Sequence, residues 1–102
     1  MNKVDLDKLV VTNNEERKRY EIDLGGAYAY VEYILAKNLI VLSHTEVPPA
    51  FEGQGVANKV IRAALEDARD RGLPVNPLCP FVAAFIARHP EYLEIVPPGL
   101  RR

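Results

Sequence analysis

The hydrophobic period changes once along this chain, at Gly53, and that change limits the fold more than any other feature. Before it, Tyr20, Ile22 and Leu24 alternate with Arg19, Glu21 and Asp23, the period of two that marks a half-buried strand. After it, Val56, Val60, Ile61, Ala64, Leu65 and Ala68 recur at helical spacing, with Asn58, Lys59, Arg62, Glu66, Arg69 and Asp70 on the other side. A chain that makes strands first and a long amphipathic helix second buries the helix stripe against the sheet.

Turn residues Gly25-Gly26, Lys37-Asn38 and Pro48-Pro49 divide the first half into strands predicted over 9–13, 17–24, 27–35 and 39–46. The long helix stops at Gly72 and Pro74, with Arg69 and Arg71 suited to the negative end of its dipole. Residues 74–78 read as a short strand. Pro80 then opens a second helix with an apolar face of Phe81, Val82, Phe85 and Ile86, ending near His89-Pro90. The order predicts a mixed α/β (α+β) fold, with the tail after Val96 frayed.

The chain of 102 residues reads as one domain over 1–102, since compact domains cluster near this size. Its apolar share of 48% suffices for one packed core. Thirteen Lys and Arg against fourteen Asp and Glu give no basic excess to neutralise a phosphate backbone, so no nucleic acid is expected as a partner. The run Leu39, Ile40, Val41, Leu42 falls far short of the roughly 20 apolar residues that cross a bilayer. The first ten residues carry Asp5 and Asp7 where a signal peptide needs an apolar core. No membrane is expected, and the reading is cytoplasmic. A single cysteine, Cys79, with two histidines, His44 and His89, excludes an internal disulfide and leaves too few ligands for a structural zinc.

Between the last strand of the meander and the long helix lies Glu52-Gly53-Gln54-Gly55-Val56-Ala57. Glycine permits positive φ and close approach of a ligand to bare backbone, and first-turn N–H groups have no intrahelical acceptor, so the place suits an anion, phosphate above all. A plain strand-to-helix turn is the alternative. The loop is not a P-loop, which needs Gly-Lys-Ser/Thr, nor a dinucleotide fingerprint, which needs a small residue where Asn58 stands.

Here the chain resembles the GNAT acyl-CoA N-acyltransferases, whose pyrophosphate loop reads Gln/Arg-x-x-Gly-x-Gly/Ala; Glu52-x-x-Gly55-x-Ala57 matches at its last two positions. More narrowly it is similar to the small single-domain GNAT-like proteins. His44-Thr45-Glu46-Val47-Pro48, Pro77-Leu78-Cys79-Pro80-Phe81-Val82 and His89-Pro90-Glu91-Tyr92 correspond to their motifs in the same order. The departure is Glu52, a carboxylate where the family places Arg or Gln.

The resemblance implies a twisted, mostly antiparallel sheet, a long helix after the central strand, a short C-terminal helix, and an acetyl-CoA-dependent N-acetyltransferase with an undetermined amine acceptor. It places acetyl-CoA between two splayed strands. Pantetheine pairs with backbone around Glu46 and Val47, and the pyrophosphate is held over Glu52, Gly53, Gln54, Gly55, Val56, Ala57 and Asn58. A backbone N–H near Val47 is the expected donor to the thioester carbonyl. Attack by a neutral amine needs a base and a proton donor for the thiolate. Glu46 is the candidate base, with a water relay or a merely solvated strand end as alternatives. Cys79 stands at a helix N-cap that favours a thiolate, and is the candidate for proton donation or acyl transfer; buried packing is the alternative. His44 is expected as a core histidine supporting its strand, with a pair to Glu46, two residues on along the same strand face, as the alternative; His89 is expected as a helix-end cap, and Lys59 or Arg62 as an offset to Glu52. The tyrosines are assigned no catalytic role. A monomer is expected, with strand 27–35 as the edge through which a dimer would form. The rival readings are a coenzyme A-binding protein without turnover and a protein-interaction module of the same fold.

Overall fold

The computed structural model describes residues 3–101. The alternating segments form an antiparallel meander of β1 (Val11–Asn14), β2 (Arg19–Asp23), β3 (Tyr28–Ala36) and β4 (Leu39–Glu46), and β5 (Val75–Asn76) joins β4 in parallel. Spatial order follows sequence order across the five strands, which gives the mixed, mostly antiparallel sheet that was expected. β3 lies in the middle, with its backbone groups taken by β2 and β4. The expectation that this strand offers a dimer edge is therefore corrected, because only an unpaired edge can template another chain.

The helices are α1 (Val56–Asp70) and α2 (Pro80–Arg88). The buried residues of α1 are those of the apolar stripe, Val56, Val60, Ile61, Ala64, Leu65 and Ala68. They pack on the sheet face made by Tyr20, Ile22, Ala29, Val31, Tyr33, Ile40 and Leu42. Val82, Phe85 and Ile86 of α2, with Tyr92 and Val96, complete the same core. Burying each large apolar side chain contributes about 1.5–3 kcal/mol. Two buried tyrosines keep their polar ends satisfied: Tyr20 donates to the Asp67 carboxylate at 2.5 Å and Tyr33 to the Asn13 side chain at 2.7 Å.

α2 sits beside α1, where Arg62 of α1 lies 5.2 Å over the Phe85 ring. Both helices thus cover one face of the sheet. The alternate residues of β3, Tyr28, Tyr30, Glu32 and Ile34, remain half-buried or exposed on the other face.

Correction is also needed for the segment after Val96, which through Arg101 is tied down rather than frayed. Pro98–Leu100 forms a 3-10 turn, and the Arg101 guanidinium donates to the carbonyls of Val96 and Leu93, each at 3.0 Å. Among the described residues no helix is long and apolar enough to cross a membrane.

Candidate functional site

β4 and β5 share only two paired positions, Ile40 with Val75 and Val41 with Asn76. The Cys79 N–H then reaches the Leu42 carbonyl at 2.9 Å. Beyond Leu42, β4 continues to Glu46 with β3 as its sheet partner, while the chain after Cys79 turns into α2. A wedge opens between them, with a cleft of about 400 Å³. Thr45, Glu46 and Val47 form its strand wall, Phe51, Glu52, Gly53 and Gly55 its loop, Val56, Ala57 and Asn58 its helical end, and Phe81 the opposite side.

The strand wall is shaped by a bulge. Leu42 pairs with Tyr33 and His44 with Glu32, so β4 carries one residue more than β3. Ser43 is the extra residue, and its hydroxyl donates to the Glu32 carbonyl at 3.2 Å. One inserted residue reverses the facing of those that follow. Ile40 and Leu42 point into the core, and past the bulge Thr45 does so instead of His44. The expected core histidine is thereby corrected in favour of its alternative, the pair with Glu46: the His44 side chain is 52% exposed, with Nε2 2.9 Å from Oε1 of Glu46, itself 54% exposed.

Cys79 occupies the N-cap of α2, as its position before Pro80 predicts, but its side chain caps no N–H. Its thiol is buried, 3.3 Å from the Thr45 hydroxyl. Thr45 lines the cleft and Cys79 does not.

In the loop, Gly53 (φ 79°) and Gly55 (φ 84°) both adopt left-handed backbone, which glycine accepts without the clash a Cβ brings. A Cβ on Gly55 would also stand 3.1 Å from Cδ1 of Leu6. Gly55 is the N-cap of α1, and the first intrahelical bond runs from Lys59 N–H to its carbonyl at 3.1 Å. The N–H groups of Val56, Ala57 and Asn58 therefore have no intrahelical acceptor, at the positive end of a helix of 15 residues. Val47, just past the ladder, finds no backbone acceptor for its N–H among the described residues. Together these donors suit a phosphate-bearing ligand.

Gln54 is directed elsewhere. Its side-chain oxygen accepts the Val4 N–H at 3.0 Å, which ties the N-terminal segment to the loop, and it does not line the cleft. Lys59 and Arg62 line a neighbouring groove instead, and Arg62 donates to the Tyr92 hydroxyl at 3.1 Å. The expected offset to Glu52 is thus not in the cleft, where Glu52 stands exposed.

Thr45, Phe51 and Phe81 line the cleft without having been singled out for it. Phe81, read as part of the apolar face of α2, is 65% exposed. It stands one residue before the buried series Val82, Phe85 and Ile86, hence about 100° around the helix from it. That offset is a signal the sequence carries. Thr45 has none, because the bulge that turns it inward leaves no mark in composition.

A family model described as GCN5-related N-acetyl-transferase matches residues 19–95. The chain is 30% identical over 94 residues to Protein NATD1 of Mus musculus, covering 86% of this chain and 84% of that protein. To Protein NATD1 of Homo sapiens it is also 30% identical over 94 residues, with 86% and 82% covered. The NMR solution structure of a GCN5-like protein from Staphylococcus aureus aligns with a TM-score of 0.68 at 27% identity, over 87% of this chain and 88% of that one. The matched span takes in β4, the glycine loop, α1 and α2, every element that walls the cleft, and the chain belongs to the GCN5-related N-acetyltransferase family.

Proposed function

We propose that the cleft binds acetyl-CoA and that the protein transfers its acetyl group to an amine. What carries this reading is the meeting, in one wedge, of a β4 edge left unpaired past Leu42 with a glycine loop that presents the first-turn amides of α1. When bound, the thioester supplies an activated acyl carbon. The amides of Val56, Ala57 and Asn58 would hold the pyrophosphate, and the exposed edge at Thr45 and Val47 the pantetheine. Phe51 and Phe81 would keep water from the reacting groups. Glu46 would take the proton of the acceptor amine and share it with His44, 2.9 Å away. Cys79 would act through the Thr45 hydroxyl, which stands between the thiol and the cleft; its burial favours direct attack by the amine over an acyl-cysteine step.

Glu52 favours a second reading, a protein that binds coenzyme A weakly and does not turn over, because a carboxylate beside a pyrophosphate is repelled. Calorimetric titration with acetyl-CoA, followed by release of coenzyme A in the presence of amines, separates the two. Saturable binding is expected, tightened several-fold by Glu52→Gln and more so at low salt. Glu46→Gln should lower kcat by about 10²-fold or more, the usual size of a general-base contribution. Binding without turnover of any amine supports the second reading, and no binding at millimolar acetyl-CoA overturns both.

A further inference from the structure

A groove of about 720 Å³ runs between the N-terminal segment and α1. It shares Gly55 and Asn58 with the cleft, so the two hollows meet at the first turn of the helix. Gln54 and Gly55 build that junction: the Gln54 side chain holds the Val4 N–H at 3.0 Å, and Gly55, lacking a Cβ, lets Leu6 lie against it. One wall of the groove is apolar, made by Leu6, Leu9, Val10 and Val11, with Val10 70% exposed. The other wall carries Lys59 and Arg62. No residue lining the groove is acidic, since Asp5 and Asp7 open on a separate hollow beside Gln54 and Glu52 stands in the cleft. The Arg62 guanidinium is engaged by the Tyr92 hydroxyl and the Phe85 ring. The half-buried Lys59 has no side-chain hydrogen bond or ion pair among the described residues. Helical side chains lean toward the N-terminus, and Lys59 is the fourth residue of α1. Its ammonium is therefore available within about a turn of the free amides of Val56, Ala57 and Asn58, with its stem along the groove.

Phosphate-binding amides, a lone cation one turn further on and an apolar wall beside it fit a ligand that carries two separate phosphate groups and a flat ring. Acetyl-CoA has that form: its pyrophosphate leads to a ribose that bears both adenine and a 3′-phosphate. We propose that this groove holds the 3′-phosphoadenosine end of acetyl-CoA, with Lys59 on the 3′-phosphate and adenine against Leu9 and Val10. The inference rests on the acetyl-transfer reading and adds to it a basis for choosing coenzyme A over its dephospho form. The offset to Glu52 then acts at the far end of the same ligand, where Lys59, with Arg62 behind it, attracts the charge that Glu52 repels.

The test is calorimetric titration of acetyl-CoA and of acetyl-dephospho-CoA, which lacks only the 3′-phosphate, into the wild type, Lys59→Gln and Val10→Asp. Neither substitution cuts into the core, because Lys59 is a polar residue of the helix surface and Val10 is mostly exposed. The wild type should bind acetyl-CoA about tenfold more tightly than the dephospho form at low salt, the size of one charge-assisted contact, and the preference should shrink as salt is added. Lys59→Gln should lose most of that preference by weakening acetyl-CoA alone. Val10→Asp should weaken both ligands, acetyl-CoA more, since its carboxylate would face adenine and the 3′-phosphate together. Equal affinity of the wild type for the two ligands overturns the proposal and leaves the cleft reading standing. So does a preference that survives in Lys59→Gln, equal weakening of both ligands by that substitution, or a Val10→Asp protein that binds as the wild type does. Failure of the wild type to bind either ligand overturns the acetyl-transfer reading itself, and this inference with it.

Discussion

Gly55 joins three requirements in one residue: a left-handed backbone, contact with Leu6, and the N-cap of α1. Gly55→Ala is expected to destabilise the protein by about 1–2 kcal/mol and to weaken acetyl-CoA binding, since the added Cβ meets Leu6 at 3.1 Å. Gly53→Ala makes a control, because its Cβ would meet nothing within 4 Å and only backbone strain remains. Urea midpoints compare the two; an equal loss would show that the Leu6 contact is slack. Tyr20 carries a prediction about pH. Burial, together with its hydrogen bond to the Asp67 carboxylate, holds its phenol well above the ordinary tyrosine range. The folded state therefore keeps a proton that the unfolded chain gives up above about pH 10. Stability is full below that pH and is lost as pH rises beyond it. The urea midpoint should fall between pH 9 and 11, and less steeply in Tyr20→Phe. Some slope persists in that variant, because burial also raises Tyr33 and Tyr92. An unchanged slope would mean that Tyr20 ionises as readily folded as unfolded.

Among the elements, the bulge in β4 decides what faces the cleft. With Ser43 paired in the ladder instead of bulged out of it, His44 would face inward and Thr45, with its contact to Cys79, out of the core. Deleting Ser43 takes out the extra residue itself, so that Leu42 stays opposite Tyr33, His44 opposite Glu32, and Thr45 inward. The deletion is therefore expected to cost about 0.5–1.5 kcal/mol, the worth of the lost hydrogen bond from Ser43 to the Glu32 carbonyl, and to keep acetyl-CoA binding. Urea midpoints and calorimetry check this; binding abolished while circular dichroism shows the fold retained would show that the bend of the bulge itself shapes the cleft. The same bulge explains where reading the sequence stops. Period two found β2, turn residues with aromatic and β-branched composition marked off β3 and β4, and period 3.6 found the α1 stripe residue for residue. The four residues Ser43, His44, Thr45 and Glu46 are all polar, so no hydrophobic pattern reveals a change of parity among them. His44 was read into the core and Thr45 overlooked for that single reason. Arg101 was illegible differently: an arginine beside another, outside any periodic segment, gives no hint that it will meet two carbonyls.

At the scale of the molecule, strands followed by helices predict two layers, and the structure has two, but the chain supplies helices for only one face of its sheet. Both ends of the sheet are short and poor templates for pairing. β1 has four residues, three of them Thr12, Asn13 and Asn14, and β5 has two. Association between copies through a sheet edge is therefore disfavoured, and the broad surface left for contact is the outer face around Tyr30, Glu32 and Glu46. That face carries Arg19, Glu21, Glu32, His44 and Glu46, all half-buried or exposed, and burying it against a second copy would strip water from each of these polar groups. Sedimentation velocity from micromolar to millimolar protein should then show one species of 11.4 kDa. A concentration-dependent dimer whose affinity changes in Glu32→Lys would reverse the argument, and would mean that two copies bury this face against each other with their charged groups paired across the contact.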